Sequence, residues 1–208
     1  MTTAGALDGH RIVPVVVIDD PARAADVAHA LAAGGIHCAE ITLRTPAGIE
    51  AIRAMAEVSG FVVGAGTVVN VEQANAVLDA GAQFIVSPGF SASIVDAVRS
   101  RGAGVLPGIA TGTEALTALQ AGLDVVKFFP ADRLGGLATI RALAAPFPQL
   151  GFVPSGGVTA QSAPEYLADP AVPAVSGSWM VARDLITAGD FATITRLSRE
   201  AVAAIGAP

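Results

Sequence analysis

Eight short apolar runs recur along the chain: Ile12–Val17, Cys38–Thr42, Phe61–Ala65, Phe84–Ser87, Val105–Gly108, Val125–Phe128, Gly151–Pro154 and Ala174–Gly177. Each has the length of a strand. Between them lie Ala-rich segments with helical spacing: Pro21–Ala33, Ala47–Val58, Val71–Ala80, Ser91–Arg101, Thr113–Ala121, Leu137–Ala144, the shorter Ala163–Leu167, and Phe191–Ile205. The strands are apolar at nearly every position rather than at every second one. Both of their faces must therefore be covered, as in a parallel sheet flanked by helices. Eight such units predict a single-domain α/β fold over 1–208, a (β/α)8 TIM barrel, although 208 residues fall short of the usual ~250. An open doubly wound sheet is the alternative.

The junctions carry the same message. Ala33-Gly34-Gly35-Ile36, Ala80-Gly81-Ala82, Arg101-Gly102-Ala103 and Ala121-Gly122-Leu123 each place Gly where a helix should stop before a strand. Asp20-Pro21, Thr45-Pro46 and Asn70 mark helix starts as caps or first-turn prolines.

Charge and cysteine usage remove several classes of function. A net charge of −6 leaves no basic footprint for nucleic acid or an anionic membrane surface. The longest charge-free window, Ala142 to Pro164, contains Pro146, Pro148, Pro154 and Pro164 and does not read as a bilayer helix. Met1 to His10 lacks a basic segment followed by an apolar run, so a soluble cytoplasmic protein is expected. Cys38 stands alone, which excludes an internal disulfide and a cysteine zinc cluster. His10, His29 and His37 all fall away from strand ends, so neither a Ser–His pairing nor a histidine metal site is visible.

One residue stands apart. Of twelve basic side chains eleven are Arg, and the one lysine, Lys127, lies inside the apolar run Val125-Val126-Lys127-Phe128-Phe129-Pro130. Burial among apolar groups disfavours an ammonium and frees the amine as a nucleophile toward carbonyls. A structural ion pair or a side chain reaching out to solvent is the plainer reading. The absence of every other lysine favours chemistry, because Arg cannot form an imine and this chain uses Arg for every other positive side chain.

Glu40, Thr42 and Arg44 share parity at the end of the second strand and point to one face while it stays extended. Glu40 suits proton transfer, and the planar fork of Arg44 suits a substrate carboxylate. An internal Glu40–Arg44 ion pair is equally compatible with this segment. Strand three runs into Gly64-Ala65-Gly66-Thr67, which lacks the third glycine of a dinucleotide fingerprint but offers the Thr67 hydroxyl. Strands seven and eight end in Ser155-Gly156-Gly157 and Ser176-Gly177-Ser178. Glycines after these two strands are where such barrels hold phosphate on backbone N–H groups.

Together these segments resemble the bacterial 2-keto-3-deoxy-6-phosphogluconate (KDPG) aldolases. The resemblance is carried in order by Ile12-Val13-Pro14-Val15, Glu40-Ile41-Thr42-Leu43-Arg44-Thr45, Gly64-Ala65-Gly66-Thr67-Val68, Ser87-Pro88-Gly89, Leu106-Pro107-Gly108, Lys127-Phe128-Phe129-Pro130-Ala131, Ser155-Gly156-Gly157 and Gly177-Ser178-Trp179. It implies a class I aldolase on a (β/α)8 barrel, usually a cytoplasmic homotrimer, with no metal and no cofactor beyond the covalent imine. Lys127 then corresponds to the Schiff-base lysine and Glu40 to the proton-transfer residue. Arg44 and Thr67 correspond to groups holding the pyruvyl carboxylate, and Pro88 and Phe129 to the apolar wall. Ser155, Gly156, Gly157, Gly177 and Ser178 match the phosphate-binding turns. The partner implied is a phosphorylated keto acid, KDPG, with 4-hydroxy-2-oxoglutarate as a second substrate of many members. Two departures stand out: Ser155 replaces an expected Thr, and Ser176 occupies a position where many relatives have Gly. A phosphogalactonate-type aldolase, a thiamine-phosphate synthase-like transferase and a non-catalytic phosphometabolite sensor are the rival readings; neither magnesium ligands nor a pyrophosphate-binding basic cluster is visible for the transferase.

Overall fold

A computed structural model describes Leu7 and residues 9–206. The two ends of the expected 1–208 domain, and most of the 1–10 segment read for a leader, lie outside the described residues. The strands are β1 (Ile12–Val16), β2 (Cys38–Thr42), β3 (Val62–Gly66), β4 (Phe84–Ser87), β5 (Gly104–Ile109), β6 (Val125–Phe128), β7 (Gly151–Pro154) and β8 (Val175–Gly177). All neighbours pair in parallel, in the order β7-β6-β5-β4-β3-β2-β1-β8. The seam between β7 and β8 is closed by one parallel bridge, Ser155 to Ser176. The sheet is thus a nearly closed barrel rather than the open alternative.

The helices are α1 (Ala24–Ala33), α2 (Gly48–Ala56), α3 (Val71–Asp79), α4 (Ala92–Ser100), α5 (Gly112–Gln120), α6 (Gly136–Ala144), α7 (Ala163–Leu167), α8 (Arg183–Ala188) and α9 (Phe191–Ala204). Among the described residues, no helix is long and apolar enough to cross a membrane. Gly35, Gly81, Gly102 and Gly122 take φ values of 90°, 102°, 74° and 72°, so the helix-to-strand stops are left-handed turns. Asp20 accepts from Ala22 N–H ahead of a short 3-10 turn, and Asn70 accepts from Gln73 N–H to cap α3. Thr45 departs from its expected role. Ala47, not Thr45, occupies the cap of α2, while the Thr45 hydroxyl donates to the Ile18 carbonyl and ties the loop after β2 to the loop after β1.

Alternation along each strand splits the apolar side chains into two bodies. Outward residues such as Ile41, Val63, Ile85, Val126 and Phe152 pack under the helices in the main core. Inward residues form a second cluster of Leu7, Val13, Cys38, Phe84, Val86, Leu106, Val153 and Ala174.

Strand register orders the inward residues into layers. Starting at Lys127, crossing to the next strand and stepping one residue toward its C-terminal end each time, the path meets Ser176, then Glu40, then Val86, and returns to Lys127. That stagger closes an eight-stranded barrel of this class, with four side chains per layer from alternate strands. Beneath this layer lie Val13, Gly64, Leu106 and Val153, then Cys38, Phe84, Val125 and Ala174; these plug the barrel floor. Above it come Val15, Gly66, Gly108 and Ser155. The same count carried just past the strand ends reaches Thr42, Pro88, Phe129 and Ser178. The apolar floor therefore stops at the layer that holds Lys127 and Glu40.

Candidate active site

Above that floor opens a cleft of about 490 Å³ at the C-terminal ends of the strands. Lys127, Glu40, Arg44, Thr67, Pro88, Phe129, Ser155, Gly156, Gly157, Gly177 and Ser178 all line it. The residues that the sequence proposes for a site all border this one space.

Lys127 and Glu40 are 6% and 1% exposed, which leaves their charges almost no contact with bulk water. Nζ of Lys127 lies 3.4 Å from Oε1 of Glu40 and 5.3 Å from the centroid of the Phe129 ring. Each charge is thus compensated, as buried charges require. A proton leaving Nζ has an acceptor within reach, and so does a proton leaving a molecule bound over the pair. The second oxygen, Oε2, is buried without a hydrogen-bond partner among the described residues. The carboxylate of this cleft-lining residue therefore keeps free acceptor capacity. The Glu40–Arg44 ion pair that β2 alone allowed does not form; Glu40 pairs with Lys127 across the barrel.

The room for Glu40 comes from β3. A Cβ built at Gly66 would lie 2.0 Å from Oε1, 2.5 Å from Cγ and 2.6 Å from Cδ of Glu40, so the carboxylate occupies the space a side chain there would fill. Gly64, one layer deeper, makes the same concession to the ring of Phe84, whose Cζ would stand 2.2 Å from a Cβ. The alternating glycines of Val62–Gly66 are packing positions for neighbours from β2 and β4.

Arg44 is exposed at the rim and lines the cleft. Among the described residues its guanidinium has no ion-pair partner, so its planar fork is free for an anion. Thr67 follows β3 with φ of 60°, a left-handed conformation rare for a β-branched residue. Such strain persists only where the surroundings impose it; here it turns the residue into the cleft.

On the opposite rim the chain after β7 is clamped to the segment after β6. Ser155 N–H donates to Phe128 O (3.0 Å), Ala131 N–H to Ser155 O (2.8 Å) and Asp132 N–H to Gly156 O (3.1 Å). Gly156 and Gly157 then take φ of 88° and 79°. With no Cβ at either position, a ligand can approach the backbone of this turn closely, which suits an anion seeking N–H groups. A Cβ at Gly157 would also fall 2.3 Å from Cγ of Asp132. Ser178, at the end of β8, adds an exposed hydroxyl to the same rim. The cleft therefore has an anion fork on the β2–β3 side, an amine and carboxylate at its floor, and a backbone anion turn on the β7–β8 side.

Comparison with known proteins decides the family. The sequence profile described as "Aldolase: KDPG and KHG aldolase" matches residues 5–197. The chain belongs to the KDPG and KHG aldolase family. It is 45% identical over 207 residues to the 2-dehydro-3-deoxy-phosphogluconate aldolase of Treponema pallidum, covering 99% of both chains. Its fold is similar to that of the KDPG aldolase of Zymomonas mobilis ZM4 solved with 3-phosphoglycerate, with a TM-score of 0.89, 43% identity, and 96% and 94% of the two chains covered. It is also similar to the Legionella pneumophila KDPG aldolase in which pyruvate was captured as a covalent carbinolamine (TM-score 0.91, 36% identity, 96% and 97% covered).

Three features of this aldolase's cleft escaped the sequence reading. Val15 and Val158 line it, yet as valines at or beside strands they carry no signal that separates them from core. Gly66 makes room for Glu40, a role visible only once β2 and β3 are in register. Ser176 drew attention as a departure from the resemblance, but its place in the Lys127 layer follows from barrel closure alone.

Proposed function

We propose that this aldolase is a class I enzyme cleaving KDPG to pyruvate and glyceraldehyde 3-phosphate, and 4-hydroxy-2-oxoglutarate to pyruvate and glyoxylate. The observation that carries the reading is the chain's one lysine, buried on the floor of the cleft with a carboxylate 3.4 Å from its nitrogen. The carbinolamine trapped in the Legionella relative and the phosphorylated acid bound to the Zymomonas relative support the same assignment.

In this reading Nζ of Lys127 attacks the C2 ketone, and loss of water from the carbinolamine gives a protonated imine. Arg44 and Thr67 hold the C1 carboxylate, while Gly156, Gly157, Gly177 and Ser178 hold the phosphate, with Ser155 beside them. Glu40 takes the proton of the C4 hydroxyl as the C3–C4 bond breaks, and the bonding pair flows into the iminium to leave an enamine. Pro88 and Phe129 wall the imine against water. The aldehyde departs, C3 is protonated, and hydrolysis returns the amine and pyruvate. The iminium is the electron sink, so the proposed route uses no metal and no other cofactor. The resemblance further supports a homotrimer in the cytoplasm, which sedimentation and fractionation would check.

Borohydride reduction in the presence of pyruvate and EDTA tests the reading. A stable pyruvyl adduct on Lys127 is expected, and Lys127→Arg, which keeps the charge but cannot form an imine, should abolish both adduct and turnover. Near wild-type turnover in Lys127→Arg would reject the imine.

A further inference from the structure

We propose that Ser176 is a further catalytic and specificity-determining residue, its hydroxyl donating to O4 of the bound keto acid, the oxygen that becomes the aldehyde carbonyl. The inference rests on the aldolase reading and adds a group to it.

The barrel's own closure carries the argument. Ser176 shares a layer with Lys127 and Glu40 and stands between them around the ring, on β8 between β6 and β2. The fourth member, Val86, belongs to the apolar floor; the other three line the cleft. Ser176 is 1% exposed, and its Oγ has no hydrogen-bond partner among the described residues. A buried hydroxyl left unpaired is costly, and one on a residue that borders a ligand cavity can take its partner from the ligand. The only other side-chain oxygen of the layer in this condition is Oε2 of Glu40.

The two anion subsites then orient the substrate. With C2 joined to Nζ and the C1 carboxylate held on the β2–β3 side, the chain from C3 to the phosphate must run toward the β7–β8 rim. That path crosses above Ser176, and C4 is two bonds from C2. This sets O4 over the layer that holds both Oε2 of Glu40 and Oγ of Ser176. Glu40 accepts the O4 proton. Ser176 donates to O4 as its negative charge develops, and the C3–C4 pair enters the iminium. A donor placed where charge grows lowers the barrier, and the same hydrogen bond reads the configuration at C4.

Ser176→Ala removes only the oxygen, and Ser176→Gly repeats the test should the first variant fold poorly. Three quantities separate the outcomes: kcat/KM on the phosphogluconate substrate, the same on its C4 epimer, and deuterium exchange at the methyl group of pyruvate. In the variants cleavage should fall about 10- to 100-fold, with the preference between C4 epimers shrinking by at least about threefold. Methyl exchange should stay within about twofold of wild type, because pyruvate has no O4. Unchanged cleavage, or exchange falling in step with cleavage, would overturn the assignment. A wild-type enzyme that neither exchanges nor traps pyruvate would instead overturn the aldolase reading itself.

Discussion

Replacing Gly66 by Ala asks how tightly turnover depends on where the Glu40 carboxylate sits. The new methyl would start 2.0 Å from Oε1 and 2.5 Å from Cγ of Glu40, whereas nonbonded heavy atoms settle at about 3.5 Å. The carboxylate must retreat by more than about 1 Å. It is 1% exposed, and the layer below it is filled by Val13, Leu106 and Val153, so no free space lies beneath it and it must leave its present place beside Lys127. A misplacement of about 1 Å at a reacting group costs about 100-fold, or about 2.7 kcal/mol of barrier. Overpacking costs about 1–3 kcal/mol of stability, partly offset by about 0.4–1 kcal/mol from a less flexible unfolded chain. The expected variant is therefore folded, melts a few degrees lower, and releases pyruvate about 100-fold more slowly. It should still form the borohydride-trapped pyruvyl adduct, because Lys127 is untouched. A folded Gly66→Ala enzyme turning over within about threefold of wild type would refute the claim that carboxylate placement limits the reaction.

Gly157→Ala combines a left-handed backbone cost of about 1–2 kcal/mol with a methyl 2.3 Å from Cγ of Asp132. It should raise KM for phosphorylated substrate about tenfold or more while leaving kcat/KM for unphosphorylated 4-hydroxy-2-oxoglutarate nearly unchanged, as parallel kinetics would show. At the start of α5, the Thr111 side chain accepts from Glu114 N–H, and the Glu114 carboxylate accepts from the N–H groups of Ala110 and Thr111. Thr111→Ala should cost about 1 kcal/mol, read as a Tm lowered by about 2–4 °C for a chain of this length. Desolvation raises the Glu114 carboxyl, but these hydrogen bonds outweigh it and hold it below its ordinary value of 4.5. The stability that Glu114 adds is then complete above that value and is lost as pH falls through the lower folded value. The Tm deficit of Glu114→Ala should accordingly be full at neutral pH and shrink in acid. Burial pushes the Cys38 thiol up to about 12, so a disulfide reagent should label it at neutral pH only after denaturation; rapid native labelling would contradict its place in the barrel floor.

Much of the architecture was legible because its signals are local. β2, β4, β6 and β7 run over the same residues as the apolar runs that announced them, since strands buried on both faces leave few polar positions to blur their ends. The glycine stops read true for the same reason: Gly35, Gly81, Gly102 and Gly122 answer to the backbone of their own turn. The helix Arg183–Ala188 has no counterpart among the segments of helical spacing. It is only six residues long and buries Ile186 alone, so it carries no apolar period to read. Thr45 defeats a local reading because a threonine before a proline looks like a cap, while its hydroxyl is spent on a carbonyl from another loop.

The site divides along the same line. Lys127 declared itself through composition, and Arg44, Thr67 and the two glycine turns through their positions at strand ends. Which carboxylate would meet the lysine, and what lay beside the pair, were outside the reach of any local pattern. Glu40 and Lys127 are separated by 87 positions in the chain. They face each other only because eight strands, each staggered by one residue against the last, return to their starting point. The amino-acid order by itself set the units, their ends and the one nucleophilic amine, because propensity, burial and turn chemistry act between near neighbours. Tertiary structure alone decided that Lys127, Ser176 and Glu40 share one layer above an apolar floor, because the register of a closed sheet is a condition on all of its strands at once.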